Sequence, residues 1–275
     1  MPEATLRERA MRGDTVRGAM VFECFSPGIA QIVRLAGAEF VLFDMEHTGL
    51  GFETLKGLAA TCRGLGIAPM ARVPRGEYHF LARALDVGAQ GVMVPMVESA
   101  AQARAIAEAT RYPPAGRRGA AFGFAHDDYA PGDVGAKMRA LDARTLVIAQ
   151  IETERGLEAV EEIAATEGID VLWVGHFDLT NFLGIPGAFE APAYLDAIGR
   201  VVAAGRRHGK GLGFMATDAD WMSRYRGLGF NVLAAGTDPA ILMDGYRAIL
   251  APLAEAKQKQ AEAGQVEARP AEAGR

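Results

Sequence analysis

The chain has 275 residues, half of them hydrophobic, and 29 Lys and Arg stand against 34 Asp and Glu for a formal net charge of −5. That is enough apolar content for a sizeable α/β core, and the mildly acidic balance, with no basic stripe, argues against nucleic acid as a partner. No apolar run approaches the roughly 20 residues of a membrane helix, and the charged segment Met1–Glu8 lacks a signal-peptide core. Cys24 and Cys62 form neither a disulfide framework nor a CxxC motif, so a cytoplasmic protein with no membrane attachment is expected.

Taken in chain order, short apolar runs alternate with amphipathic ones. Strands are predicted over Ala19–Phe25 and Phe40–Glu46, then a helix over Phe52–Leu65 and a strand over Ala68–Val73. A helix over Glu77–Val87, a strand over Gly91–Val97 and a helix over Ser99–Thr110 follow. Strands over Leu146–Glu152 and Val171–Gly175, a helix over Tyr194–His208, and strands over Gly211–Met215 and Val232–Gly236 complete the pattern. Continuous apolar strands are what a parallel sheet buried on both faces requires, and eight of them predict a single (β/α)8 TIM barrel of the α/β class. The barrel domain is expected over 1–254. Residues 255–275, rich in Ala, Glu, Gln and Lys, read as a polar tail expected to be mobile. Tyr112–Asp142, with Pro113-Pro114, Gly119, Gly123 and Pro131-Gly132, reads as one long loop, either functional or a surface excursion.

Functional residues of such barrels gather where strands end. Asp44, Glu46 and His47 follow the second strand, Arg72 ends the third, Gln150 and Glu152 end the fifth, and Asp178 follows the sixth. Gln150 and Glu152, two apart, share a face. Two carboxylates, completed by water and substrate oxygens, suit a hard six-coordinate cation, Mg²⁺ or Mn²⁺. Two alternatives stand beside this: the acids pair with arginines, or Asp178 is a helix N-cap. Arg72 in an apolar run needs a carboxylate or an anionic ligand. Met93, Met96, Met215 and Met222 read as packing.

Several segments together resemble the HpcH/HpaI aldolases, metal-dependent class II pyruvate aldolases. They are Phe43-Asp44-Met45-Glu46-His47, Ala71-Arg72-Val73-Pro74, Leu85-Asp86-Val87-Gly88-Ala89, Val94-Pro95-Met96-Val97, Arg111-Tyr112-Pro113-Pro114-Ala115-Gly116, Arg118-Gly119 and Gln150-Ile151-Glu152-Thr153. The resemblance covers about Gly18 to Leu250. It implies that Glu152 and Asp178 hold a divalent metal, Mg²⁺ or Mn²⁺ with Co²⁺ as a further candidate, and that Gln150 orders the metal's waters. It implies that Arg72 contacts a 2-oxo oxygen, that His47 works in acid–base chemistry with Asp86, and that Asp44 meets the aldehyde portion. Gly175, His176 and Phe177 would line the 2-oxoacid carboxylate site, departing there from the family's smaller residues. Asp86 ends a helix at the bottom of its own barrel, so it would reach His47 only from a neighbouring subunit of a homo-oligomer, a hexamer by resemblance. The reaction implied joins or cleaves a 2-oxoacid, such as pyruvate, and an aldehyde. The alternatives are an oxaloacetate-type decarboxylase, an acyl-CoA lyase of the citrate-lyase-β type, and a non-catalytic barrel. His126, Asp127 and Asp128, with His176, would favour polar aldehydes.

Overall fold

In the computed structural model residues 4–267 are described, with side chains through Leu253. Four strands form the first half: β1 (Val16–Val21), β2 (Phe40–Asp44), β3 (Ala68–Arg72) and β4 (Gly91–Val94). Four more follow: β5 (Leu146–Ile151), β6 (Val171–Val174), β7 (Gly211–Ala216) and β8 (Val232–Thr237). All pair in parallel and in sequence order, and β8 closes onto β1. The result is the (β/α)8 barrel expected from the sequence.

Every residue of β2 to β6 is buried, which is why they read as unbroken apolar runs. β1 starts at Val16, earlier than the Ala19 expected, because its ladder to β8 opens with Val16 opposite Val232. Arg17 and Gly18 hide that start in the sequence; a side chain at Gly18 would collide with the Phe40 ring.

Alternation within the strands sorts two cores. Phe40, Leu42, Ala68, Met70, Leu146, Ile148, Val171 and Trp173 fill the barrel interior. The residues between them, such as Val41, Phe43, Ala71, Val147, Ala149 and Leu172, pack outward against the helices. Extending the inward set by one step reaches Asp44, Arg72, Gln150 and Gly175, and a further step on β5 reaches Glu152. The strand period itself therefore carries these residues to the C-terminal mouth.

The segment Tyr112–Asp142 is not irregular throughout. It holds a 3₁₀ turn over Ala125–Asp127 and a helix over Val134–Arg144, capped by the Asp133 side chain. Leu141 is that helix's one buried residue, so no apolar stripe marks it in the sequence. Lying between a helix and β5, the segment belongs to the N-terminal mouth.

The chain divides into two units after Thr237. The second contains the helix Asp238–Glu267, inside which the expected boundary at 254 falls. Residues 268–275 of the expected tail lie outside the described residues. Among the described residues no helix is long and apolar enough to cross a membrane.

Candidate active site

The β2–β3 register sets Asp44 directly beside Arg72. Arg72 Nε donates to Asp44 Oδ1 at 2.6 Å and lies 3.2 Å from Glu46 Oε2. Asp44, 0% exposed, also accepts the backbone N–H groups of Glu46 and His47, which folds the turn after β2 back over the mouth. His47 is exposed there, with Nε2 at 3.7 Å from Glu46 Oε2.

Across the mouth, Glu152 is 2% exposed. Its Oε1 accepts the Met96 N–H at 2.7 Å and its Oε2 accepts from Gln150 Nε2. Gln150 Oε1 is buried without a partner. Burial pushes the Glu152 carboxyl up to about 7, and the nearby Glu46 and Asp178 carboxylates push the same way. Glu46 is also driven up to about 7 by burial, against Arg72 and with Asp44 and Asp178. Burial wins at Glu46 although Arg72 is close, because the Nε proton is given to Asp44 and Glu46 Oε2 makes no hydrogen bond.

Asp178 sits in the first turn of the helix His176–Phe182, whose N-cap position is Gly175 with no side-chain cap. Neither Glu152 nor Asp178 forms an ion pair among the described residues. Both bland readings of this pair, capping and arginine pairing, are therefore absent from the described residues. Gly175 must lack a side chain, since a Cβ would collide with the Glu152 carboxylate and come within 2.7 Å of Gln150 Nε2.

Glu46, Glu152 and Asp178 thus face one another with a single arginine among them, and a buried amide oxygen waits unpaired. That donor set fits a hard divalent cation bound by oxygen. Among the described residues no three His, Cys, Asp or Glu side chains come close enough together to hold a metal ion by themselves. Beside the set opens a cavity of about 760 Å³, lined by Glu46, His47, Arg75, Met96 and Glu98 among others.

Several expected assignments change. His176 does not line a substrate site through its side chain. It is 3% exposed and packs against the rings of Phe177, Phe189, Phe214 and Trp221 at 4.6 to 5.6 Å. The helix begins at His176, and its first side chain turns outward into the aromatic layer rather than to the mouth. Phe177 is 55% exposed, its ring tilted against His176 and edge-on to Phe189. His126, Asp127 and Asp128 lie at the opposite mouth, where Asp127 is tied to Lys137 at 2.7 Å. Asp86 is there too, paired with Arg118 Nη2 at 2.7 Å.

Two participants were not legible as such. Met96, read as packing, adopts a left-handed backbone (φ 54°) that aims its N–H at Glu152. For a bulky residue that conformation is costly and is kept where the surroundings over-determine it. The Val94-Pro95-Met96-Val97 segment marks the place but not the backbone angle. Glu46 was visible as an acid at a strand end, without its place beside Glu152 and Asp178 as a half-buried carboxylate.

The raised carboxyls set a pH dependence. Glu46 and Glu152 hold their protons to higher pH when folded (about 7) than at their ordinary 4.5. Their contribution is present in full below that ordinary value and is lost as pH rises through about 7. In EDTA the melting temperature should therefore fall between about pH 5 and about pH 7, and added Mg²⁺ should reverse the fall at the upper end. A flat cation-free profile in differential scanning calorimetry would refute this. His176 has the opposite sign: burial lowers it to about 4 from 6.5, so its contribution is lost as pH falls through that interval. His176→Phe should lessen acid sensitivity relative to the parent and keep activity within about threefold. A large activity loss would return His176 to the substrate site.

A parallel barrel with buried acids, an arginine and a glycine-opened helix start at its C-terminal mouth defines a barrel enzyme for small anionic substrates. The family profile "HpcH/HpaI aldolase/citrate lyase" matches residues 19–245. A hydroxypyruvate/pyruvate aldolase of Roseovarius nubinhibens is 31% identical over 250 residues, 91% of this chain and 96% of that protein. A 4-hydroxy-2-oxovalerate aldolase of Novosphingobium aromaticivorans is 37% identical over 216 residues, 77% of this chain and 80% of the relative. Among solved structures, an HpcH/HpaI aldolase from Desulfitobacterium hafniense superposes with a TM-score of 0.84 at 26% identity, over 99% of this chain and 100% of that one. The chain belongs to the HpcH/HpaI aldolase/citrate lyase family. It is an enzyme, a carbon–carbon lyase of the aldolase type.

Proposed function

We propose that this enzyme is a divalent-metal-dependent aldolase that makes or cleaves a 4-hydroxy-2-oxoacid, with pyruvate or a close 2-oxoacid as one product and an aldehyde as the other. The observation that carries the reading is the Glu152 carboxylate, buried beside Glu46 and Asp178 and in no ion pair among the described residues. Relatives named as hydroxypyruvate/pyruvate and 4-hydroxy-2-oxovalerate aldolases support the substrate class.

Glu152 and Asp178 would hold the metal, Mg²⁺ or Mn²⁺, and Gln150 would offer its free Oε1 to a bound water. When bound, the metal supplies Lewis-acid polarisation of a 2-oxo group. The protein does the rest. Asp44 fixes the plane of the Arg72 guanidinium through Nε, with the Glu46 carboxylate beside it, leaving its Nη groups to stabilise charge as it develops on a substrate oxygen. Gly175 and the start of its helix leave room for a carboxylate against backbone N–H groups. His47, exposed at the mouth, exchanges protons between the site and solvent.

Asp86 completes this set in a homo-oligomer, where a neighbouring copy brings it to His47. Supporting this are the 45% exposure of its side chain at the far mouth and the exposed Ile241, Tyr246, Ile249 and Leu253 of the C-terminal helix. Mixing separately inactive His47→Ala and Asp86→Ala chains should restore activity in mixed assemblies; continued inactivity would place both residues in one subunit's site or neither.

The decisive experiment follows pyruvate methyl protons in D₂O by NMR, with Mg²⁺ or Mn²⁺ and then with EDTA. Metal-dependent exchange, followed by aldehyde-dependent consumption of pyruvate, supports the aldolase. Exchange and oxaloacetate decarboxylation with every aldehyde left untouched would replace it with a decarboxylase.

A further inference from the structure

At the N-terminal mouth, away from the site just described, lies a second cavity of about 460 Å³. Four arginines reach its wall from four different helices: Arg9 from Leu6–Met11, Arg34 from Gly28–Leu35, Arg63 from Phe52–Gly64 and Arg144 from Val134–Arg144. Thr5, Gln90, just before β4, and Glu39, just before β2, complete the polar lining. We propose that this cavity binds a small multivalent oxyanion, a phosphate or a polycarboxylate, gripped by converging guanidinium groups.

The bland account is that each arginine occupies the last turn of its helix, where the helix dipole favours a cation. That explains each residue singly and leaves their convergence on one hollow unexplained. The acids present do not balance the charge. Glu39 is engaged by Arg9 and by Arg17, and Asp128, 60% exposed, stands 3.4 Å from Arg63. Four arginines therefore face two acids. The exposed Arg34 side chain makes no ion pair or hydrogen bond among the described residues, and Arg63, with 10% of its side chain exposed, keeps a buried Nε without a partner. Burial and the neighbouring Arg63 and Arg118 hold the Arg144 guanidinium below its ordinary range, against the pull of Asp128. An anion with two or more charges relieves that repulsion. Planar guanidinium forks match both carboxylate and phosphate oxygens, and the cavity is of a size suited to a small ligand.

The binding has a local consequence. Arg63 and Arg144 also donate to the backbone carbonyls of Ala125 and His126. An anion between them ties this turn to the starts of β3 and β4, close to the Asp86–Arg118 pair. The proposal stands apart from the aldolase reading, since no residue of the acid cluster takes part.

The test uses the full-length protein in EDTA, titrated with inorganic phosphate in one arm and citrate in another, with sodium chloride holding ionic strength constant. Melting temperature and calorimetric heat are recorded. Saturable stabilisation by at least one anion is expected, following the logarithm of its concentration above the dissociation constant. Arg34→Gln should weaken that binding about tenfold and leave pyruvate proton exchange unchanged. Arg34→Gln/Arg144→Gln should weaken it further; should Arg144 prove necessary for folding, Arg34→Gln alone decides. The arm that saturates identifies the anion's chemistry. No saturation beyond the chloride control, or equal affinity in Arg34→Gln, overturns the proposal.

Discussion

Glu152→Gln should abolish tight Mn²⁺ binding and lower pyruvate proton exchange by about 10²–10³-fold, the usual loss when one electrostatic contributor to a transition state is removed. The substitution keeps shape and the capacity to accept the Met96 N–H, now 2.7 Å from Glu152 Oε1, so the fold should stay intact. A second readout separates this from a structural role. In EDTA at about pH 8 the parent carries an ionised, buried carboxylate that would hold its proton up to about 7, beside two other acids. The neutral amide removes that burden, so the variant should melt at a higher temperature than the parent. A structural salt-bridge residue would behave in the opposite way. Wild-type Mn²⁺ affinity in Glu152→Gln, measured by titration calorimetry, would remove the metal assignment altogether.

Arg72→Ala is expected to destabilise the protein by about 3–5 kcal/mol, because it strands a carboxylate in the interior. Asp44 is 0% exposed and receives the Arg72 Nε at 2.6 Å, so the variant leaves it with only the Glu46 and His47 N–H groups as donors among the described residues. Activity should fall as well, by about 10²-fold or more, since the guanidinium is the cation placed to meet substrate charge. The double variant Arg72→Ala/Asp44→Ala separates the two effects. With the stranded acid gone, stability should return in large part while activity remains lost. Urea unfolding of the two single variants and the double variant measures the coupling. A loss below about 1 kcal/mol in Arg72→Ala would mean the pair is solvated and the burial argument fails.

The strands were readable because those of a parallel sheet are buried on both faces and show as continuous apolar runs. The boundaries were less secure where a strand began on Arg17-Gly18, which carries no apolar signature. The helix Val134–Arg144 escaped notice for the same reason, with Leu141 its one buried residue. At the site, the acids and Arg72 stood out because polar residues ending apolar strands are expensive without partners. His176 was misplaced because a residue beyond the strand's end no longer obeys the two-residue alternation. Its direction is set by where the next helix begins.

The sequence by itself determined the barrel and the parity that carries Asp44, Arg72, Gln150 and Glu152 inward, because strand period and burial are local properties of the chain. Its motifs, taken in order and spacing, also determined the family. Only the tertiary structure decided which partners these residues meet. It set Arg72 on Asp44 through the β2–β3 register, bent Met96 to bring its N–H to Glu152, and gathered Glu46 with Glu152 and Asp178. It also turned His176 into an aromatic layer and collected four distant arginines around one hollow. Those are outcomes of chain closure: they depend on contacts between segments far apart in sequence, and no local pattern encodes them.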